Sequence, residues 1–207
     1  MSLEDHGRIS AAIAAAESRT AGEICCVVAR ASGSYFFAAA LMVTAGMLAS
    51  SLVLAFALEY WWISMRLPVF VAAQMLAIAA ALLILWAFPA LRLRLVPRRL
   101  LDETAHGLAL RPFLARNLHV TAERTGVLIF VSLAERYAEI VADSGIAAKV
   151  PQADWDAAIA TLLDHARSER LADGIVIAVG MAGDLLARHF PARPGDANEI
   201  EDHLIEL

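Results

Sequence analysis

The sequence predicts an α/β fold, a small sheet flanked by helices in the α+β manner, interrupted by a two-helix transmembrane hairpin. Three observations predict it. No charged residue occurs in residues 31–58 or 67–91, and each stretch exceeds the roughly 20 residues that cross a bilayer. Outside them, residues 23–31, apolar at consecutive positions from Ile24 to Ala29, and residues 127–132 are runs rich in valine and isoleucine, as strands covered on both faces are. The remaining segments place apolar side chains three and four apart, the period of helices that bury one face.

Taken in order, Ser2 with Asp5 three residues on makes a helix N-cap, Ile9, Ile13 and Ala16 recur at helical spacing, and Gly22 is placed to close this first helix. Residues 23–31 form the first strand, which Ser32, Gly33 and Ser34 end. The first span runs from about Tyr35 to Leu58. The turn after it carries Trp61 and Trp62, the residue type of an interfacial aromatic belt, and Pro68 opens the second span. That span ends near Phe88 or Pro89.

Next comes LRLRLVPRRLL, then a helix over residues 102–117 that Pro112 should interrupt, because proline has no N–H to donate. Residues 127–132 and 137–142 read as a hairpin joined by a short link, so that three strands share one sheet. Trp155, Ile159, Leu162 and Ala166 repeat at helical spacing behind the acidic start Asp154 and Asp156. In GIVIAVGMAGDLLARHF the run IVIAV alone resembles a strand, but Ile175, Val179, Ala182 and Leu186 fit one helical face, and helix is the reading adopted. The acidic tail reads as a loose extension or a short docking helix. The domains expected are thus residues 1–34, a first helix and strand; 35–91, the hairpin; 92–191, the remainder of the α/β domain; and 192–207, the tail.

Composition and charge narrow the function. The chain is 59% hydrophobic and 19% charged. Its mean hydropathy of +0.61 is too high for an ordinary soluble domain of 207 residues. Arg30, Arg92, Arg94, Arg98 and Arg99 flank the spans on one side and only Arg66 lies in the connecting turn, which places both termini in the cytoplasm of a bacterial inner membrane. A net charge of -5 without a basic face excludes nucleic acid as a partner. Cys25 and Cys26 are neighbours on a strand and point to opposite faces, so they read as reduced core residues rather than a disulfide or metal pair.

No phosphate-cradling glycine loop, nucleophile elbow, paired-cysteine metal site or HExxH pattern occurs. Two carboxylates stand out instead. Asp143 follows a β-prone run and precedes Gly145, a place from which a carboxylate can project toward a divalent cation, and Asp173 beside Gly174 would join it if the last helices fold over that edge. Turn formation is the plainer role of each. Asp102 with His106, and His165 with Glu169, share helix faces and read as surface pairs before they read as part of a metal site. Arg116, Arg124 and Arg136 are of the type that grips a phosphate ester, although arginine supplies all but Lys149 of the 17 basic residues. The arginines at 92–99 suit anionic lipid as well as they suit orientation. Gly46, Ala49, Ser50 and Ala38 to Ala40 let other helices approach the first span, whether its own partner in the hairpin or another membrane protein.

The stretch RTGVLIFVSLAERYAEIVADSGIAAKV at 124–150, followed by an amphipathic helix and GDLLARHFP, resembles the TPM domain family, named after a thylakoid lumen protein, a photosystem repair protein and a modulator of a ligand-gated channel. The likeness rests on the strand Gly126, Val127, Leu128, Ile129 and on the strand that ends at Asp143, Ser144, Gly145. The AGEICCVVA strand and the helix before it look like the family's opening elements. The departure is the pair of spans interposed between them, which an antiparallel hairpin permits because it returns the chain to the side it left. The resemblance implies upkeep of a membrane complex or, for some members, acid phosphatase activity with a bound metal. The leading expectation is therefore a membrane-anchored interaction module whose partners are the bilayer and another membrane protein, and the alternative is a metal-dependent acid phosphatase.

Overall fold

A computed structural model of the protein describes residues 1–61, 66–115, 124–192 and 203–207. The chain divides into two compact units, one made of residues 1–32 and 102–207 and the other of residues 33–101.

In the first unit, helix α1 (Leu3–Glu17) begins on a capping box in which the Ser2 hydroxyl accepts the Asp5 N–H and the Asp5 carboxylate accepts the Ser2 N–H. It closes at Ser18, not at Gly22, because the chain must turn through Thr20 before β1 (Glu23–Ala29) starts. β1 pairs in parallel with β2 (Gly126–Ser132), and β2 pairs antiparallel with β3 (Tyr137–Ala142). A fourth strand, named β4 here (Leu204–Glu206), lies parallel to β1 on its other side, giving the sheet order β3-β2-β1-β4. The tail therefore ends in a strand rather than a loose extension or a helix. Alternation explains it: Leu204 is buried in the core on one face of the sheet and Ile205 packs on the other. Residues 193–202 lie outside the described residues.

Parallel strands need a crossover, and helix α5 (Arg98–Ala115) supplies it on one face, where Ala105, Ala109 and Phe113 meet Cys25, Val27, Leu128 and Phe130. Contrary to expectation this helix runs through Pro112 without a break. The opposite face carries α1 together with α7 (Gln152–Arg167) and α8 (Leu171–His189), after the short α6 (Ser144–Ala147). The core there holds Ile9, Ile13, Ile129, Trp155, Leu162 and Ile175. Segment 171–189 is thus helical, its IVIAV run being one stripe of α8. Cys26 faces this layer while Cys25 faces α5, neither is in a disulfide, and burial raises the Cys26 thiol pKa far above its ordinary range.

The second unit consists of α2 (Phe36–Tyr60), α3 (Leu67–Ala87), α4 (Pro89–Leu95) and the chain up to Leu101. Both α2 and α3 are long and apolar enough to cross a membrane, and in their most apolar windows 0% and 6% of residues are buried. They pack on each other through Ala39, Val43, Leu82 and Leu85. Arg92 closes the end of α3: its guanidinium donates to the carbonyls of Leu85 and Trp86, each at 2.7 Å, and stands 5.3 Å over the Phe36 ring. Carbonyls at a helix end lack partners within the helix, and Pro89 prevents further N–H groups from supplying them.

Candidate functional site

Ligands of sheets with parallel strands gather at the carboxyl ends of those strands, and in this sheet the ends of β1 and β2 hold the densest polar chemistry. Glu135, in the turn after β2, is only 1% exposed. Its carboxylate accepts the Ser32 N–H at 2.7 Å and the hydroxyl of Ser132, and Ser132 in turn accepts the Ser32 hydroxyl at 2.9 Å. A buried charge is tolerated only where donors converge on it, and this network ties the end of β1 to the β2–β3 turn.

Beside the network, between that turn and the last turns of α7, opens a cavity of about 270 Å³. Leu133, Leu163 and Ala166 give it apolar walls, and Arg136, Arg167 and Glu169 give it charge. Arg136 and Glu169 both hold left-handed backbone, φ 52° and 58°. On the α5 face of β3, Glu139 accepts the Tyr137 hydroxyl at 2.9 Å and lies 2.8 Å from Nδ1 of His106. Burial, then the Glu139 hydrogen bond, raises the Tyr137 pKa well above the ordinary phenol range.

The residues singled out from sequence are dispersed. Asp143 caps α6; one carboxylate oxygen accepts the Ser144 N–H at 2.5 Å, and the other is buried without a hydrogen-bond partner. Its own N–H donates to Gly126 at the start of β2. Asp173 sits in the first turn of α8, paired with Arg8 of α1 at 2.6 Å. The C-terminal end of α8 is the end near Asp143: the Phe190 carbonyl accepts the Thr20 hydroxyl, and the Ala21 carbonyl accepts that of Thr125, next to Gly126. Asp173 precedes Phe190 by 17 residues, about 25 Å of helix, so the fold does not bring the two carboxylates together.

Arg124 and Arg136 stand at opposite ends of β2, roughly 20 Å of strand apart, so they cannot share one phosphate; Arg116 lies outside the described residues. His106 pairs with Glu139 rather than Asp102, and His165 with the Thr161 carbonyl rather than Glu169. Among the described residues no three His, Cys, Asp or Glu side chains converge to hold a metal ion. The donor set a divalent-cation phosphatase centre requires is not assembled by them. Glu135 is not distinguished by any motif in the sequence; its one signal is Ser132 ending a strand three residues before an acid, which reads equally as an ordinary turn.

A sheet of mixed strands between helical layers, with polar chemistry at the ends of its parallel pair and a long helical insertion after the first strand, defines the class. Within it, the model of the TPM domain family matches residues 93–185. The NMR structure of BA42 protein from the psychrophilic bacterium Bizionia argentinensis sp. nov. shares the fold with a TM-score of 0.60, at 17% identity over 100% of this chain and 94% of that one. No curated protein matches the chain.

Proposed function

We propose that the chain is a membrane-anchored TPM module that docks on another membrane protein, with its TPM domain at the cytoplasmic face of a bacterial inner membrane. One observation carries the reading: α2 and α3, 25 and 21 residues long, fully bury almost none of their residues and leave most of them exposed. In water such a surface would be unsustainable, whereas lipid accepts it. Packing of the hairpin uses Ala39, while Gly46, Ala49 and Ser50 remain exposed on α2, which supports close approach by a further helix. The arginine excess on one side of the hairpin supports the orientation. Because Arg92 is engaged in closing α3, and Arg98 and Arg99 also have partners, lipid headgroup recognition by this cluster is the weaker role.

Carbonate extraction tests the anchor and reporters fused at each end test the orientation; release into the supernatant, or ends reporting opposite compartments, overturns it. Affinity purification at native abundance in several mild detergents tests the partner, and recovery of a lone monomer in all of them removes it. A metal-dependent acid phosphatase is the second reading, favoured by the orphaned Asp143 oxygen. Phosphatase assay with divalent cations, with Asp143→Asn as control, decides it: no activity, or activity that survives the substitution, ends that assignment.

A further inference from the structure

Helix α3 holds one amide, Gln74, among otherwise apolar side chains, seven residues from its start and so about 10 Å along its axis. The Gln74 Nε2 is closed off from the surface and has no hydrogen-bond partner among the described residues. An amide N–H left unmatched in hydrocarbon is costly, so a spanning helix that carries one needs a partner for it. The hairpin does not supply that partner. Gln74 stands eleven residues from Leu85 along α3, and eleven residues from Ala39 along α2 stand Ser50 and its neighbour Ser51. Their hydroxyls turn back into their own helix and donate to the carbonyls of Met47 and Leu48, at 3.0 and 2.9 Å.

The seam between the helices is itself half closed. Among the described residues of α2 and α3, Ala39 and Leu85 alone are buried, whereas Val43, Met47 and Ser51 of α2 and Phe70, Gln74 and Ile78 of α3 are half-buried. Two helices enclose a shared seam from one side, and a further pair is needed to bury it at a bundle axis. A second copy supplies both missing parts. Every copy inserted in one orientation carries Gln74 at the same depth. An amide is donor and acceptor at once, so two of them related by a twofold axis along the membrane normal satisfy each other reciprocally. We propose that two copies of the chain associate through their α2–α3 seams as a four-helix membrane bundle, with the two Gln74 amides hydrogen-bonded to each other at its axis. The inference rests on the reading of α2 and α3 as membrane spans and names the hairpin's first partner.

The test is energy transfer between donor- and acceptor-labelled copies of the full chain, mixed at known mole fractions in lipid vesicles, with carbonate extraction run alongside. Transfer rises with acceptor fraction as for a dimer. Gln74→Leu lowers the association constant about tenfold, the worth of two interhelical hydrogen bonds in lipid, yet the variant stays in the membrane because leucine is the more lipid-soluble side chain. Gln74→Asn, which keeps an amide, retains part of the association, and Ser51→Ala leaves it unchanged. Oxidative cross-linking reports the face: Ile78→Cys, one turn from Gln74, gives a disulfide dimer, and Leu76→Cys, on the exposed face, does not. Transfer no greater than between non-interacting proteins, Gln74→Leu associating as tightly as the wild type, loss of association in Ser51→Ala, or cross-linking at position 76 as efficient as at 78 each overturns the proposal. Release of the chain by carbonate is a different failure, which overturns the membrane reading and this proposal with it.

Discussion

Gly183 of α8 lies directly against Ala16 of α1: a Cβ added at Gly183 would stand 2.7 Å from the Ala16 Cβ and 3.2 Å from its Cα. Neither atom can swing aside, since both are fixed to the backbone of α1. Gly183→Ala therefore forces the helices apart, and it should destabilise the domain by ~1–3 kcal/mol in spite of alanine's better helix propensity. Gly180, one turn earlier, has nothing within 4 Å of the same imagined atom. Gly180→Ala should stabilise by roughly 0.5–1 kcal/mol, and chemical denaturation of the pair separates contact from propensity.

The buried carboxylate at Glu135 makes the second prediction. Glu135→Ala removes the acceptor for the half-buried Ser32 N–H and for the hydroxyl of Ser132, which is fully buried. A stranded buried donor costs ~1–3 kcal/mol, so a loss of about 2–4 kcal/mol in unfolding free energy is expected. Glu135→Gln keeps one acceptor oxygen and should lose less than half of that. An alanine variant as stable as the wild type would show that the network is not what ties β1 to the turn.

Periodicity made most of the fold legible. Ile9, Ile13 and Ala16 announced α1, the Val and Ile runs announced β1 and β2, and the uncharged stretches announced α2 and α3, because burial in a core or in lipid acts on local composition. What escaped depends on distance in sequence. β4 is three residues long and acquires meaning only beside β1, some 175 residues earlier, where Leu204 finds the core. The site was less legible still: Asp143 and Asp173 share a residue type and a neighbouring glycine, yet the length of α8 separates them. Arg136 and Glu169 come to line one cavity through the packing of α7 on β3, which no local pattern encodes.

Arg92 offers a third prediction, on the hairpin unit. Its planar fork satisfies two carbonyls at once, those of Leu85 and Trp86. Arg92→Ala should lower the unfolding free energy of the solubilised protein by about 2 kcal/mol, the range for hydrogen bonds to a charged group less solvent replacement. Arg92→Lys should recover only a minor part, since an ammonium cannot reproduce the bidentate geometry. Full rescue by lysine would reduce the role of Arg92 to its charge.

Acid should release β4. Glu206 accepts from His6, whose Nε2 is 2.9 Å away, and from the N-terminal amino group at 3.1 Å, and these bonds hold its carboxyl below the ordinary value of 4.5. A carboxyl depressed in the folded state contributes stability that is present above its unfolded value and is lost as pH falls through the folded one. The contribution should thus be constant from neutrality to about pH 5 and decline below pH 4.5. Both partners are about one-third exposed, so the effect is local rather than a determinant of global stability. Amide hydrogen exchange reads it directly, because the Leu207 N–H donates to Val28 and the Arg30 N–H to Leu207 across the β1–β4 pair. Protection factors at these two amides should fall on acidification while those of the central β1–β2 ladder hold. His6→Ala should lower protection at neutral pH and flatten the acid dependence. Protection that stays constant from pH 7 to pH 3 would show that β4 is retained by its burial of Leu204 and not by the charge at Glu206, and an acid decline that His6→Ala leaves untouched would assign the charge effect to the N-terminal amino group instead of His6.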